Sequence, residues 1–468
     1  MHRPLALKPL AAIAVILLLG GCASFSTDGG LNDVSALTQQ RTGQPVSAAV
    51  DSDGAATDSA VADLLAKPLT PDSAVRIALA NNRGLQAVFA ELGVAEADLV
   101  QAGRLGNPGF SFGRLRSGND VEIDRSVLFN IVGLLTLPIR SSIERRRFEQ
   151  AKLQAASDAV RLAADTRRAY FNAVAAQQTV QFMQQVKLSA EAGAELAQRM
   201  ARIGNFSKLD AAREQVFYAE TTAQLAHGMQ NVTNTREQLT RLLGLWGPRI
   251  AFTLPERLPD LPKALTAISD IEAQAMQQRL DVQIAKRDTE ATASALGLTN
   301  ATRFINVLDA GYINKSETGK PRANGYEVSL EIPLFDWGGA RTRRAESQYM
   351  AAVNRTAEIA IRARSEVREA YATQRTTFDI ATHYRDEILP LRKKIADEVG
   401  LRYNGMLMSV FELLTEARQQ AGSVNTAIEA QRDFWLAETD LQMAINGSGG
   451  AMTAMRSRPI ASGAKAEH

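Results

Sequence analysis

Apolar positions recur along this chain at two different periods, and the two textures alternate in a fixed order. Phe148, Leu153, Ala156, Val160, Ala163, Tyr170 and Val174 are spaced by multiples of three to four, the stripe of a helix packed along one face. The runs from Ser141 to Gly193 and from Arg341 to Pro390 have no internal Gly or Pro, so each predicts a helix on the order of 75 Å long at ~1.5 Å per residue. Shorter helical runs are expected at 71–102, 207–243, 268–300 and 409–446, the first opened by Thr70-Pro71-Asp72 as cap and first turn.

Between short and long helices the period falls to two. Tyr326, Val328, Leu330, Ile332 and Leu334 alternate with Glu327, Ser329, Glu331 and Pro333, which predicts a strand with unlike faces. A partner strand is expected from Phe304 to Tyr312 across the polar loop 314–321. The first half repeats the plan, with a strand at Phe110–Arg116, a loop at Ser117-Gly118-Asn119-Asp120 and a return strand from Glu122 to about Leu135. Each chain therefore offers four strands.

The order is written twice. Leu137-Pro138-Ile139 and Ile332-Pro333-Leu334, Arg167-Arg168-Ala169-Tyr170 and Arg368-Glu369-Ala370-Tyr371, and Leu209–Gln215 and Leu414–Gln420 recur at an offset of about 200 residues, which marks a duplicated fold half and not a solenoid unit. The expected fold is mainly α with a small β part. Four amphipathic strands cannot close a barrel, and an open edge in lipid leaves backbone groups unpaired. Three chains pooling twelve strands would close one.

The ends supply an address. Residues 1–21 place Arg3 and Lys8 before an apolar core, Leu10–Leu19, the form of a secretory signal too short to remain a membrane span. Leu19-Gly20-Gly21-Cys22 has the form of a bacterial lipobox, so Cys22, the single cysteine, is the expected site of acylation. Residues 22–66 then read as a polar tether or a loosely draped arm, 67–248 as the first repeat, 249–266 as a linker, 267–446 as the second repeat, and 447–468 as a tail without an apolar face. Hydrophobic residues make up 45% of the chain and aromatics only 6%, a mixture suited to long helices. The formal charge of +2 gives no electrostatic argument for nucleic acid.

Little else in the chain carries chemistry. His2, His227, His383 and His468 have no metal-ligand spacing. Met406 and Met408 read as packing residues before copper ligands. No phosphate loop or nucleophile elbow occurs, so no enzyme, metal site or cofactor is expected.

Ile332-Pro333-Leu334-Phe335-Asp336-Trp337-Gly338-Gly339-Ala340-Arg341, Arg402-Tyr403-Asn404-Gly405, Ser409–Arg418 and Leu69–Asn82 carry a resemblance to the TolC-type outer-membrane efflux proteins, lipoprotein subgroup, over roughly residues 69–446. The resemblance implies a homotrimer with a twelve-stranded outer-membrane barrel on a periplasmic α-helical barrel. It also implies a passive exit duct of a tripartite system, with a periplasmic adaptor and an inner-membrane pump of the resistance-nodulation-division type, exporting small molecules or metal ions. Type I protein secretion and a non-conducting lipid-anchored scaffold are the alternatives. By the same resemblance Asp210, Tyr403 and Glu412 ring a periplasmic gate, with Thr415 where a second acid often stands and Glu416 as its partial substitute. Asp210 and Glu412 also read as acids favoured at a helix N-terminus. Pro138, Pro333, Gly338 and Gly339 mark the passage from strand to helix, the last two because Gly breaks regular geometry.

Overall fold

The computed structural model describes residues 24–46, 54–304 and 307–447. Cys22, His2, His468 and the end of the tail lie outside them, as do residues 305 and 306 of the expected strand beginning at Phe304. In chain order the elements are α1 (Leu31–Thr42), α2 (Gly54–Leu65), α3 (Pro71–Asn81), α4 (Arg83–Ala102), β1 (Gly109–Ser117), β2 (Asp120–Asn130), α5 (Ile131–Arg202) and α6 (Lys208–Leu243). The second half continues with α7 (Ile271–Gln278), α8 (Leu280–Ala301), β3 (Leu308–Glu317), β4 (Ala323–Leu330), α9 (Gly339–His383), α10 (Leu389–Asn404) and α11 (Val410–Asn446).

Two compact units divide the chain: Met1–Asp33, Val88–Ala155 and Val282–Ala360 form one, and Val34–Ala87, Ala156–Asp281 and Ile361–His468 the other. Each draws on both sequence repeats, so the compact units do not follow the repeat boundaries.

The first unit holds one antiparallel sheet in the order β1-β2-β3-β4, each hairpin coming from one half of the chain. Ser117 pairs with Asp120 across a two-residue turn in which Gly118 takes φ 63°, a conformation that favours glycine. Register fixes which side chains share a face. One face carries Phe110 and Phe112 of β1, Val121, Ile123, Val127 and Phe129 of β2, Leu308 and Tyr312 of β3, and Tyr326, Val328 and Leu330 of β4. The other carries every acid of the four strands: Asp120, Glu122, Asp124, Asp309, Glu317 and Glu327. Among the strands' exposed large apolar side chains, only Leu115 lies on the acidic face.

The strand boundaries differ from the sequence expectation. β2 ends at Asn130, not near Leu135, because the Asn130 side chain accepts a hydrogen bond from the Gly133 amide and caps α5. Pro138 therefore lies inside α5 and ends no strand. In the second hairpin β3 runs on to Glu317 and β4 stops at Leu330. The junction there is the coil 331–338, where the Gly338 amide donates to Asp336 Oδ1 at 2.8 Å and Gly338 takes φ 73°. A Cβ on Gly338 would stand 2.8 Å from the Arg303 carbonyl oxygen. Gly339 opens α9, and Pro333 sits half-buried in the coil.

The segment expected as a tether forms two helices, α1 and α2, among its described residues. Val34, Thr38 and Thr42 are buried along one face of α1, with Thr38 and Thr42 donating to the carbonyls four residues back. Lys152 of α5, nearly buried, reaches Asp33 at 2.6 Å and Glu149 at 2.8 Å. Burial pulls this ammonium's pKa down, and the two carboxylates outweigh it, so the net direction is up. The stripe escapes a hydropathy reading because threonines carry it.

The core of the second unit gathers Leu69 and Ile77, Tyr170, Phe171 and Val174 of α5, Leu239 and Leu243 of α6, and Phe252, Leu254 and Leu258. The buried Tyr170 hydroxyl donates to the Leu69 carbonyl at 3.0 Å, and burial pushes its pKa up to about 12. Pro390 does not end the second long helical run. A π turn at Tyr384–Ile388, closed by the Leu389 amide on the Tyr384 carbonyl, absorbs the proline at the start of α10.

Candidate functional site

The α5–α6 and α10–α11 connections are the same turn built twice. In the first the Asn205 amide donates to the Met200 carbonyl at 2.9 Å and the Gly204 amide to Ala201 at 3.3 Å; in the second Leu407 donates to Arg402 at 2.8 Å and Met406 to Tyr403 at 3.0 Å. This is the Schellman ending, which needs one left-handed residue. Gly204 supplies it at φ 80°, and Met406 supplies it at φ 57°. Three residues later Ser207 and Ser409 cap α6 and α11 by accepting from the amides of Asp210 and Glu412.

The matched turns pair Asp210 with Glu412 and Glu214 with Glu416. The sequence landmarks, by contrast, set Asp210 against Thr415, one helical turn out of step. A Ser-x-x-Asp/Glu signature was the local signal for the correct register.

Both acids expected at the gate are held inside their own turn. Asp210 accepts from Ser207 Oγ at 2.7 Å and from Arg213 at 3.0 Å. Glu412 accepts from the Ser409 amide at 2.9 Å and from its hydroxyl at 3.0 Å. These bonds, the amide first, hold the Glu412 carboxyl below the ordinary value of 4.5. Tyr403 stands half-buried in the last turn of α10, and neither carboxylate bonds to it within the chain. The reading of both acids as helix-start residues thus holds for the single chain.

Glu416 is not an open acid. It is buried and accepts from Arg392 of α10 at 3.4 Å, beside Gln419 at 2.7 Å. Its carboxylate joins α10 to α11, so it does not substitute for an acid at Thr415, whose hydroxyl donates back to the Phe411 carbonyl. Met406 is almost fully exposed, as is Leu407.

One contact that sequence reasoning missed ties the two tips together. Arg418 of α11 donates to Glu214 of α6, whose side chain is only 2% exposed, and the guanidinium lies 4.5 Å from the centroid of the Phe217 ring. The pair borders a cavity of about 290 Å³ between α5, α6 and α11, lined also by Phe182, Val186 and Leu414. Close by, a Cβ on Gly193 would stand 3.0 Å from the Leu414 side chain. The α6 and α11 partners are 204 residues apart, and no local signal joins them.

No protein-family model matches the chain. It is 26% identical over 277 residues to the cobalt-zinc-cadmium resistance protein CzcC of Cupriavidus metallidurans, a match that spans 58% of this chain and 64% of that one. The Campylobacter jejuni CmeC outer membrane channel superposes with TM-score 0.70 at 17% identity, covering 82% of this chain and 88% of its own. The open-state MtrE outer membrane channel of Neisseria gonorrhoeae gives 0.66 at 18% identity, covering 81% and 89%. The chain has the fold of the outer membrane factor channels, as the resemblance in its sequence implied.

Proposed function

We propose that the protein is the outer-membrane exit duct of a tripartite efflux system, passive and gated at its helical tips. Three copies pool their sheets into a twelve-stranded membrane barrel, with the apolar face toward lipid and the acidic face toward the lumen. The observation that carries this reading is that every acid of the sheet lies on one face while all its exposed large apolar side chains but Leu115 lie on the other. A soluble hairpin has no use for such an outward apolar band, whereas a channel wall requires it. Acids along a lumen favour cations. That preference and the likeness to a cobalt-zinc-cadmium resistance protein support metal ions as cargo ahead of other small molecules.

Energy and cargo come from an inner-membrane pump of the resistance-nodulation-division type through a periplasmic adaptor, and acylated Cys22 adds a lipid anchor. At the closed tip Asp210, Tyr403 and Glu412 surround the aperture in three copies. The Glu214–Arg418 pair holds α6 to α11 and acts as the latch. Pro138, Pro333, Gly338 and Gly339 belong to the two passages from sheet to helix.

The test is the oligomeric mass of the purified protein together with its reversal potential in planar bilayers under a salt gradient. A trimer with cation preference is expected. A protein that never forms a trimer and never conducts contradicts the reading. Replacing Glu412 by Ala together with Tyr403 by Phe is expected to raise the conductance, and an unchanged value removes those two residues from the gate.

A further inference from the structure

The apolar face of the sheet ends in a cluster of arginines. Across the strands, register sets Leu308 opposite Leu330, then Phe129, Ala310 and Val328 in one row, then Phe110, Val127, Tyr312 and Tyr326, then Phe112, Arg125, Asn314 and Asn324. At ~3.4 Å per residue the three apolar rows from Leu308 to Tyr312 span roughly 14 Å along the strands, within the ~25 Å apolar band of outer-membrane barrels, and the fourth row already carries Arg125 and two asparagines. Toward the β1–β2 turn the next rows bring Arg114 beside Ile123 and Arg116 beside Val121.

All three arginines of the sheet, Arg114, Arg116 and Arg125, thus stand on the face that carries no acid, and they gather at its hairpin end. Arg114 and Arg116 are exposed. Arg125 is half-buried and donates to Asn314 at 3.0 Å, and Asn314 donates to Asn324 at 2.7 Å. None of the three forms an ion pair among the described residues, although Asp124 and Glu122 lie on β2 with Arg125 and Glu317 on the neighbouring β3; those acids face the other way, toward Lys315 and Lys320. An arginine is costly at mid-bilayer and tolerated at the headgroup level. Its planar fork matches phosphate oxygens two at a time.

Building on the duct reading, we propose that Arg114, Arg116 and Arg125 form a docking surface for outer-leaflet lipid headgroups that carry anionic phosphate monoesters, as distinct from the zwitterionic phosphodiester of phosphatidylcholine. The apolar rows hold acyl chains and the arginines clamp the phosphates above them. The hairpin end is the outer end of the sheet in this reading, because the opposite end of each strand leads into or out of a helix.

The experiment uses the full chain in phosphatidylcholine vesicles doped with bisphosphorylated lipid A or with the same glycolipid stripped of its phosphates. Lipid retained by the detergent-extracted protein is quantified by native mass spectrometry. The wild type is expected to retain the phosphorylated form preferentially, by roughly fivefold per arginine and on the order of a hundredfold in all, with the preference falling as salt rises. Arg114→Ser, Arg116→Ser and Arg125→Ser combined should bring retention near parity, while Lys315→Ser on the acidic face leaves it unchanged. The triple Lys replacement keeps charge and fold and should lose part of the preference. A triple Ser variant with undiminished preference overturns the proposal, as does displacement of the lipid by inorganic phosphate, which would mark a free-anion site. Normal conductance in plain phosphatidylcholine with no phosphate preference overturns this inference and leaves the duct standing; failure to insert in any vesicle overturns both.

Discussion

Arg418 and Glu214 face each other between the last helix and α6, with the carboxylate almost wholly buried and the guanidinium about a quarter exposed. Breaking such a pair from one side leaves the Glu214 carboxylate, itself almost wholly buried, without its partner. Arg418→Met is therefore expected to destabilise the tip by about 3 kcal/mol, the lower end of the range for buried pairs because the arginine keeps some water. Arg418→Met combined with Glu214→Leu should recover most of that loss. Hydrogen exchange along α6 and α11 reads both, and equal protection in the single and double variants would show that the pair does not couple the helices.

The two tips use one turn with unequal chemistry. Met406 occupies a left-handed conformation that its counterpart Gly204 adopts freely, at a steric cost of about 1–2 kcal/mol. Met406→Gly is expected to raise the unfolding midpoint in denaturant, offset in part by the entropy of the added glycine. Gly204→Ala should lower it, through a loss of stability of about 1 kcal/mol. Midpoints moving the opposite way would mean that contacts of the methionine, and not its backbone, set the stability of the second tip.

Glu412 gives the tip a pH dependence of known sign. Its carboxyl is held below 4.5 by the Ser409 amide and hydroxyl, so the folded state favours the ionised form. The stabilisation is present above 4.5, the ordinary value, and is lost as pH falls through the lower folded value. Amide protection in the first turn of α11 should be constant from neutral pH to about 5 and fall below it. Ser409→Ala removes the hydroxyl and keeps the amide, so the midpoint should move part of the way up toward 4.5, and an unmoved midpoint would leave the whole shift to the amide.

Gly338 is fixed by space as well as by its backbone. A Cβ there would press on the Arg303 carbonyl at 2.8 Å in a conformation that already strains non-glycine residues. Gly338→Ala is expected to cost about 1–3 kcal/mol, whereas Gly339→Ala, at an open position that starts α9, should be neutral or mildly stabilising. Thermal unfolding of the two variants side by side separates a junction built on Gly338 from one that merely tolerates it.

Much of this architecture was legible because it rests on periodicity. The helix stripes, the period-two strands and the repeat are local or regularly spaced signals, and the sheet assembles one hairpin from each half. The end of β2 was not legible because the apolar run Val127-Leu128-Phe129 continues into Ile131-Val132, and only the Asn130 cap separates strand from helix. The folded arm escaped notice because Thr38 and Thr42 carry its buried face. At the candidate site the capping signatures Ser207–Asp210 and Ser409–Glu412 lay open in the sequence. The Arg418–Glu214 and Arg392–Glu416 pairs did not, since each depends on which helices lie side by side, and that is decided by packing.

Single-channel recording of the purified protein in planar bilayers, wild type beside Arg418→Met, bears on the proposed gated duct as a whole. A small cation-favouring conductance in the wild type, rising severalfold in the variant, is the expected result. Absence of conductance in both, or the same conductance in both, would contradict the account, the first by removing the duct and the second by removing the latch.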